Sequence, residues 1–591
     1  MTTTRLALVL VLVATLAACG GPDPRDRGDG GGGTCVPEQL YCGGATGGDV
    51  YRCNADGTDG SFVEACPAEL ACSLGMCKQR CEAAEDVPSN VGCDFWAADL
   101  DNEASTTFGV NNDAAAAQFA IVAANNNDFT VTVRVLKNAA NIGQPVNEQE
   151  VVRVMVPPRV AQRIDLPQRE VDGSMGQNAA YAANSGSGTF VSPHAYHVVS
   201  DGPIVVYQFN PIVQQYSNDA STLIPRQAVG TDYIAVGFET ANPCAISGLP
   251  TPAGIPDHGA LTIIPLADDT HVSVMTNHAI KASAGPSGIA IGMVPKGATL
   301  QLTLSRYMVA NLETEQPSGD IATCSSAVSA GGDGDFTGTY IKSDKPIVVF
   351  TSNERGIGFG GATNIEYPPG GGGDDLCCTD HLEEQLFPVT ALGKEFAVAR
   401  SPIRSTHPTW REPDIIRVVG TKDNTQVTTN LPPPWDSFTL QAREDKTFAA
   451  TRGFAMTASE AVQVSSYLVS QHFVQPGDIG DPSQILIPAA EQHRKDYVFL
   501  VPETFEKDYV VFSKPVAANV ALDGGSLASC TTEAIGMVKG TEYEQVTCPL
   551  TDGQHTASGD MPFGISVYGY YNVGSYAYVG GSDVKIINPI L

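Results

Sequence analysis

One passage built from the same parts occurs three times in the chain, and this recurrence constrains the fold more than any single residue does. SDGPIVVYQFN from Ser200 is followed by STLIPRQAVGTDYIAVGF from Ser221. SDKPIVVFTSN from Ser343 is followed by EQLFPVTALGKEFAVAR from Glu384, and SEAVQVSSYLV from Ser459 by SQILIPAAEQHRKDYVFLV from Ser483. Each copy has an apolar strand, a variable loop, an apolar residue and a proline, then a strand carrying an aromatic: Pro225 to Tyr233, Pro388 to Phe396, Pro488 to Tyr497. A second element also recurs. FAIVAANNNDFTVTV from Phe119, LTIIPLADDTHVSV from Leu261 and IIRVVGTKDNTQVTT from Ile415 are each two apolar strands joined by an Asn/Asp-rich turn, which is a hairpin signature. The order is hairpin, Pro-Ile-Val-Val type strand, then proline and strand. It runs through three rounds, over residues 115–240, 255–400 and 410–505, with a shorter part after them.

Within these rounds apolar residues alternate with period two or form short β-branched runs, as in FTVTVRVL, HVSVMT and PIVVFTS, and helical periodicity is scarce. The expected fold is all-β. It consists of internally repeated antiparallel β units, sandwich-like by preference with a propeller-like closure as the alternative, preceded by a small disulfide-rich segment. A residue present in every copy is more simply a packing or turn requirement than part of one active centre. Prolines end edge strands and aromatics fill sheet interfaces.

The ends set the compartment. Arg5 precedes the apolar run LALVLVLVATL, which is too short to span a bilayer and has the length of a signal-peptide core. Leu16, Ala17, Ala18 and Cys19 resemble the lipobox of bacterial lipoproteins, which implies removal of residues 1–18 and lipidation of Cys19. Gly20 rather than Asp follows the cysteine; by resemblance to proteobacterial lipoproteins this implies the bacterial outer membrane. Residues 19–33, rich in proline and glycine, read as a tether. The expectation is a body held at the membrane by its amino-terminal lipid and exposed at the cell surface. The formal charge of -31 repels phosphate backbones and excludes nucleic acid as a partner.

Fourteen cysteines remain beyond Cys19, an even number consistent with pairing outside the cytoplasm. Eight crowd residues 34–100: Cys35, Cys42, Cys53, Cys66, Cys72, Cys77, Cys81 and Cys93. Large apolar residues are few there, so disulfides replace a core; zinc is the rival reading of the short spacings in CSLGMCKQRC. This segment is similar to the short cysteine-rich stretches near the amino end of secreted myxobacterial proteins. NADGTDG at 54–60 lacks the terminal Glu of a calcium loop and reads as a turn. Cys244, Cys324, Cys377, Cys378, Cys530 and Cys548 are spread through the body, residues 101–591. Cys530 and Cys548 suit a local bridge. Cys377 and Cys378 are adjacent, and each is expected to reach a separate partner.

Chemistry-bearing motifs are sparse. GIGFGG at 356–361 matches a dinucleotide fingerprint in letters only, since no helix follows it. GISVYG at 564–569 has the wrong spacing for a nucleophile elbow. In CCTDHLEEQ, His381 stands among Asp380, Glu383 and Glu384 without the HExxH spacing, and its structural reading outweighs metal binding or general-base chemistry. No catalytic residue, metal ligand or cofactor is assigned. The loops at 353–376 and 400–413 are the better candidates for recognition, with Trp410, Arg411 and Trp435 as possible contacts; packing between modules is the rival reading for the tryptophans.

SDKPIVVFTSNE, CCTDHLEEQLFPVTALGKEFAVARSP, IIRVVGTKDNTQVTT, DPSQILIPAAEQHRKDYVFLVP and GISVYGYYNVGSYAYVG resemble, in this order, motifs of the amino-terminal domain of the IgGFc-binding protein family. The resemblance is strongest over 341–580 and extends in diverged form back to 195. It implies an extracellular β-rich domain associated with binding, and carries over no binding residue. The resulting expectation is a noncatalytic surface protein that binds an extracellular protein or a glycan, or mediates adhesion. The alternative is an extracytoplasmic hydrolase acting on carbohydrate or peptide.

Overall fold

A computed structural model describes residues 35–43, 48–102, 104–105, 112–115, 117–172, 188–213, 217–240, 258–283, 289–315, 334–356, 364–369, 379–474, 476–477 and 479–589. Cys19, Cys244, Cys324, Cys377 and Cys378 lie outside them. The chain forms two compact units, one ending at Asp86 and one beginning at Val87.

The first unit has a three-stranded sheet, Leu40–Gly43, Asp49–Cys53 and Gly60–Ala65, a ribbon of Leu70–Ser73 with Met76–Gln79, and the short helix Arg80–Glu85. Few of its apolar side chains are buried, among them Val50 and Ala83. Disulfides join Cys35 to Cys53, Cys42 to Cys72 and Cys66 to Cys77, and Cys81 and Cys93 are also oxidised. In NADGTDG, the Asp56 carboxylate accepts the Thr58 N–H at 3.1 Å while Gly57 takes φ +74°. This is a side-chain-capped turn.

The second unit is almost entirely antiparallel sheet, folded into half-barrels. Its first strand, Gly92–Ala97, grouped with the cysteine-rich segment in the sequence reading, pairs with Tyr196–Asn210 of the body. Among the described residues four half-barrels follow one another. The first gathers around Tyr196–Asn210 and the third around Phe454–Leu468; the fourth uses Gly553–Tyr571. In the second, the equivalent long strand is broken into Tyr340–Ser343 and Ile347–Gly356, which serve two sheets.

The recurring Ser-Asp-x-Pro explains how one strand serves two sheet directions. The Ser200 hydroxyl donates to Gly202 O at 2.8 Å, and Ser343 to Lys345 O at 2.7 Å. The neighbouring aspartate accepts a backbone N–H from the adjacent strand: Asp201 from Thr132 at 2.7 Å and Asp344 from His271 at 2.8 Å. The same contact occurs in SGDMPFGISVYGY, where Asp560 accepts the Asn519 N–H at 2.9 Å. That stretch, read from sequence as part of a shorter tail, is thus a fourth copy.

The rounds also divide differently from the sequence reading. The strand after each proline pairs with the long strand of the following half-barrel: Asp232–Ile234 with Tyr340–Ser343, Gly393–Val398 with Phe454–Leu468, Arg494–Val501 with Gly553–Tyr571. Proline and a single 3-10 turn, at Val389–Ala391 and Ala490–Gln492, end one unit and redirect the chain. The strand then takes the first unpaired edge it meets, which belongs to the next unit. Tyr233 locks this joint, accepting the Gly230 N–H at 2.8 Å and donating to Ile347 O at 2.7 Å. Tyr497 repeats the arrangement with Arg494 N and Phe563 O.

Each half-barrel contributes one inner strand: Asp219–Thr222, Asp380–Gln385, Gln484–Leu486 and Gly574–Val579. Contacts run from each to the next, and from the fourth back to the first. The return is apolar as well as polar. Tyr207 and Phe209 of the first half-barrel share a core with Tyr497, Phe499, Tyr576 and Tyr578 of the fourth, and the Tyr207 hydroxyl donates toward Val498 O and Gly580 O at 3.0 and 2.8 Å.

Candidate functional site

Inner strands normally bury apolar side chains, yet DHLEEQ at Asp380–Gln385 is buried at every position. A buried carboxylate is tolerated only when protonated or supplied with donors. Here the donors are backbone N–H groups of the neighbouring inner strands. Asp219 accepts from Ser483 Oγ at 2.6 Å and Ala577 N at 3.4 Å through one oxygen, and from Gln484 N at 3.1 Å and Glu383 N at 3.2 Å through the other. One side chain of the first inner strand therefore holds the other three. Asp380 accepts from Asn218 N at 2.5 Å and Ser575 N at 3.1 Å, and Glu384 from Leu486 N at 3.0 Å and Ser221 Oγ at 3.2 Å. Burial pushes the Asp219 carboxyl up to about 8 and those of Asp380, Glu383 and Glu384 well above the usual range.

His381 is fully buried, 3.5 Å from Glu383, and burial lowers its pKa to about 3. It is neutral near pH 7. The Asp380 and Glu384 oxygens are taken up by structural donors, and neither ring nitrogen of buried His381 has a hydrogen-bond partner among the described residues.

Trp410 is 9% exposed and lies with its ring 6.1 Å from that of Phe473. Half-buried Arg411 donates through its guanidinium to His407 O and Trp410 O. Trp435 stacks on Phe448 at 4.6 Å inside the third half-barrel. Trp410 presents little surface, and Trp435 is half-buried. Among the described residues of these loops the exposed aromatic is Tyr367, 51% exposed, whose ring meets the same Phe473 at 5.3 Å. Phe473 thus brings together the two loops singled out in the sequence, with Pro408 and Thr409 exposed beside Trp410.

A second acidic group lies elsewhere in the body. Asp101, Glu313 and Glu354 place carboxylate oxygens within 4.8 Å of one another, and Asp101, Glu170 and Asp172 do the same. All five are at most 6% exposed. Asp101 follows the Gly92–Ala97 strand; Glu170 and Asp172 follow Ala161–Asp165; Glu313 ends Val309–Glu313; Glu354 lies in Ile347–Gly356. The backbone around Asp101 is bolted down by amides. Asn210 Nδ2 donates to Leu100 O at 2.7 Å, and Asn102 Nδ2 donates to Ser217 O at 3.0 Å. Burial first, then the charges of Asp172, Glu354, Glu313 and Glu170, push the Asp101 carboxyl well above its ordinary value. Sequence reading missed this group because its members span residues 101 to 354 with no local spacing; only the even burial of acids on strand ends marks it.

A family model described as IgGFc binding protein matches residues 219–569, more than half of the 591. The chain belongs to that family. No curated protein matches it. The family match begins at Asp219, the residue that ties the four inner strands, and ends within the long strand of the fourth half-barrel. Members of an IgGFc-binding family are binding proteins, and the acids of DHLEEQ fall inside the matched region as its structural centre.

Proposed function

We propose that this IgGFc-binding family chain is a noncatalytic, lipid-anchored surface protein that recognises an extracellular protein or a glycan, or mediates adhesion. Family membership carries the reading. Support comes from the inner acids, which are engaged by backbone N–H groups, and from the loop surface at Tyr367, Pro408 and Thr409, where an exposed aromatic stands on a rigid β scaffold. Lipidation of Cys19 places the chain at the bacterial outer membrane, facing outward, and its partners there are the membrane and the extracellular ligand.

Two experiments test this. The purified chain, immobilised, is exposed to a glycan array, to immunoglobulin Fc and to fractionated extracellular proteins; saturable binding is expected, weakened about tenfold or more by Tyr367→Ala without a change in melting temperature. Turnover of carbohydrate or peptide substrates with no saturable ligand would overturn the reading in favour of a hydrolase. For the anchor, Cys19→Ala is expected to abolish fatty-acid incorporation and release the chain from membranes; unchanged membrane association refutes it.

A further inference from the structure

Five carboxylates crowd one another around Asp101 in the interior of the body. Lys281 lies 3.4 Å from Glu313 and 3.1 Å from His258 Nε2. His258 Nδ1 is engaged with Thr314 O at 2.7 Å, so the imidazole donates there and accepts from Lys281. Both ring nitrogens are occupied, and burial holds the ring below its ordinary pKa. Lys281 thus sets its charge against Glu313.

A second observation points into the same place. Among the described residues, both oxygens of Asp101, 2% exposed, and Oε1 of Glu313, 1% exposed, are buried with no hydrogen-bond donor from outside the acidic cluster. This contrasts with Asp219, whose oxygens meet four donors. Glu313 Oε1 also lies against Gly188, where a Cβ would overlap it at 1.2 Å; the backbone leaves space for the carboxylate alone. An ionised Asp101 with no donor from outside the cluster and four acidic neighbours is strongly unfavourable in a low-dielectric interior.

We infer that this cluster binds Ca2+, in two adjoining positions that share Asp101: one formed with Glu313 and Glu354, the other with Glu170 and Asp172. The ligand set is all oxygen and mostly carboxylate, which suits a hard cation and not zinc. Oxygens within 4.8 Å of one another fit on a sphere of about 2.4 Å radius, the Ca–O distance, whereas Mg2+ demands a tighter octahedron and keeps waters for which this buried group has little place.

The test uses the full mature chain, stripped with chelator and dialysed against millimolar Ca2+, the affinity range of extracellular calcium modules. Metal analysis is expected to find about two equivalents per chain, and Ca2+ is expected to raise the melting temperature by on the order of 5 °C over chelated protein. Asp101→Asn is expected to weaken Ca2+ binding at least about tenfold and to lose the thermal shift. Wild-type protein that takes up no Ca2+ and melts identically with and without chelator overturns the inference, independently of whether the variant folds. A single equivalent overturns the shared-ligand arrangement, and full retention of both ions by Asp101→Asn removes Asp101 from it.

Discussion

Asp219 has the most connections of any side chain described above, and its two oxygens do the work of a small hydrogen-bonded turn. Asp219→Ala would strand the Ser483 hydroxyl and the N–H groups of Glu383, Gln484 and Ala577 in a buried site. A loss of about 3–5 kcal/mol is expected in chemical denaturation, because each unsatisfied buried donor costs about 1–3 kcal/mol and relaxation recovers part. Asp219→Asn keeps one good acceptor and should lose less; equal losses would show that shape, not hydrogen bonding, matters there. Asp508 gives a pH-dependent counterpart. Its carboxylate accepts the Tyr576 hydroxyl at 2.9 Å, and burial raises its pKa to about 7 from the ordinary 3.8. The native chain therefore keeps a proton that the unfolded chain releases. Stability from this group is complete below about pH 4 and declines as pH rises from about 4 to about 7, by up to ~1.4 kcal/mol per unit. Asp508→Asn, neutral throughout, should flatten that part of the stability profile; a variant profile parallel to wild type contradicts the assignment.

At the scale of elements, the Ser-Asp-x-Pro bend shapes the first and second half-barrels, and the proline joint links each half-barrel to the next. Asp344→Ala removes the acceptor for the His271 N–H, but both side chains are about half exposed and water substitutes. The expected cost is about 0.5–1 kcal/mol by chemical denaturation, well below that of Asp219→Ala; a cost equal to it would mean that the bend, not the centre, holds the fold. The bend was legible in sequence because its residues are adjacent, and so was strand type, since period-two patterns are local. Partner choice was not. The strand around Tyr233 looks like the end of the unit that precedes it, because only the edge left open by Tyr340–Ser343 decides otherwise. The fourth bend was hidden because Gly559 stands where the serine does and Pro-Phe-Gly-Ile replaces Pro-Ile-Val-Val. Glu384 is held by donors from residues 221 and 486, which nothing in the local spacing of DHLEEQ announces. The group around Asp101 left no trace in spacing, since carboxylates from four separate segments meet only after three sheets have formed.

At the scale of the molecule, two kinds of cohesion coexist in one chain. The amino-terminal unit has little apolar core and depends on bridges such as Cys35–Cys53; the body has large buried clusters, with Cys530–Cys548 closing a separation of 18 residues. Under reductant, limited proteolysis should cut before residue 87 while the body stays resistant, although loss of the Cys530–Cys548 bridge lowers its stability by about 3 kcal/mol. Simultaneous digestion of both units would show that the body also needs its disulfides to remain folded.

The return of the last inner strand to the first has a consequence in time. Ala577 meets Asp219 across 358 residues, and Tyr207 meets Gly580 across 373. A chain emerging amino end first completes its early half-barrels, yet their shared centre stays wet and its acids uncapped until Gly574–Val579 arrives. Such long-range closure makes folding slow. It also makes the final strand a checkpoint: a polypeptide shortened before it retains most of its strands but leaves the Asp219 carboxylate and the Tyr207 face open to water, marking the incomplete product for proteases.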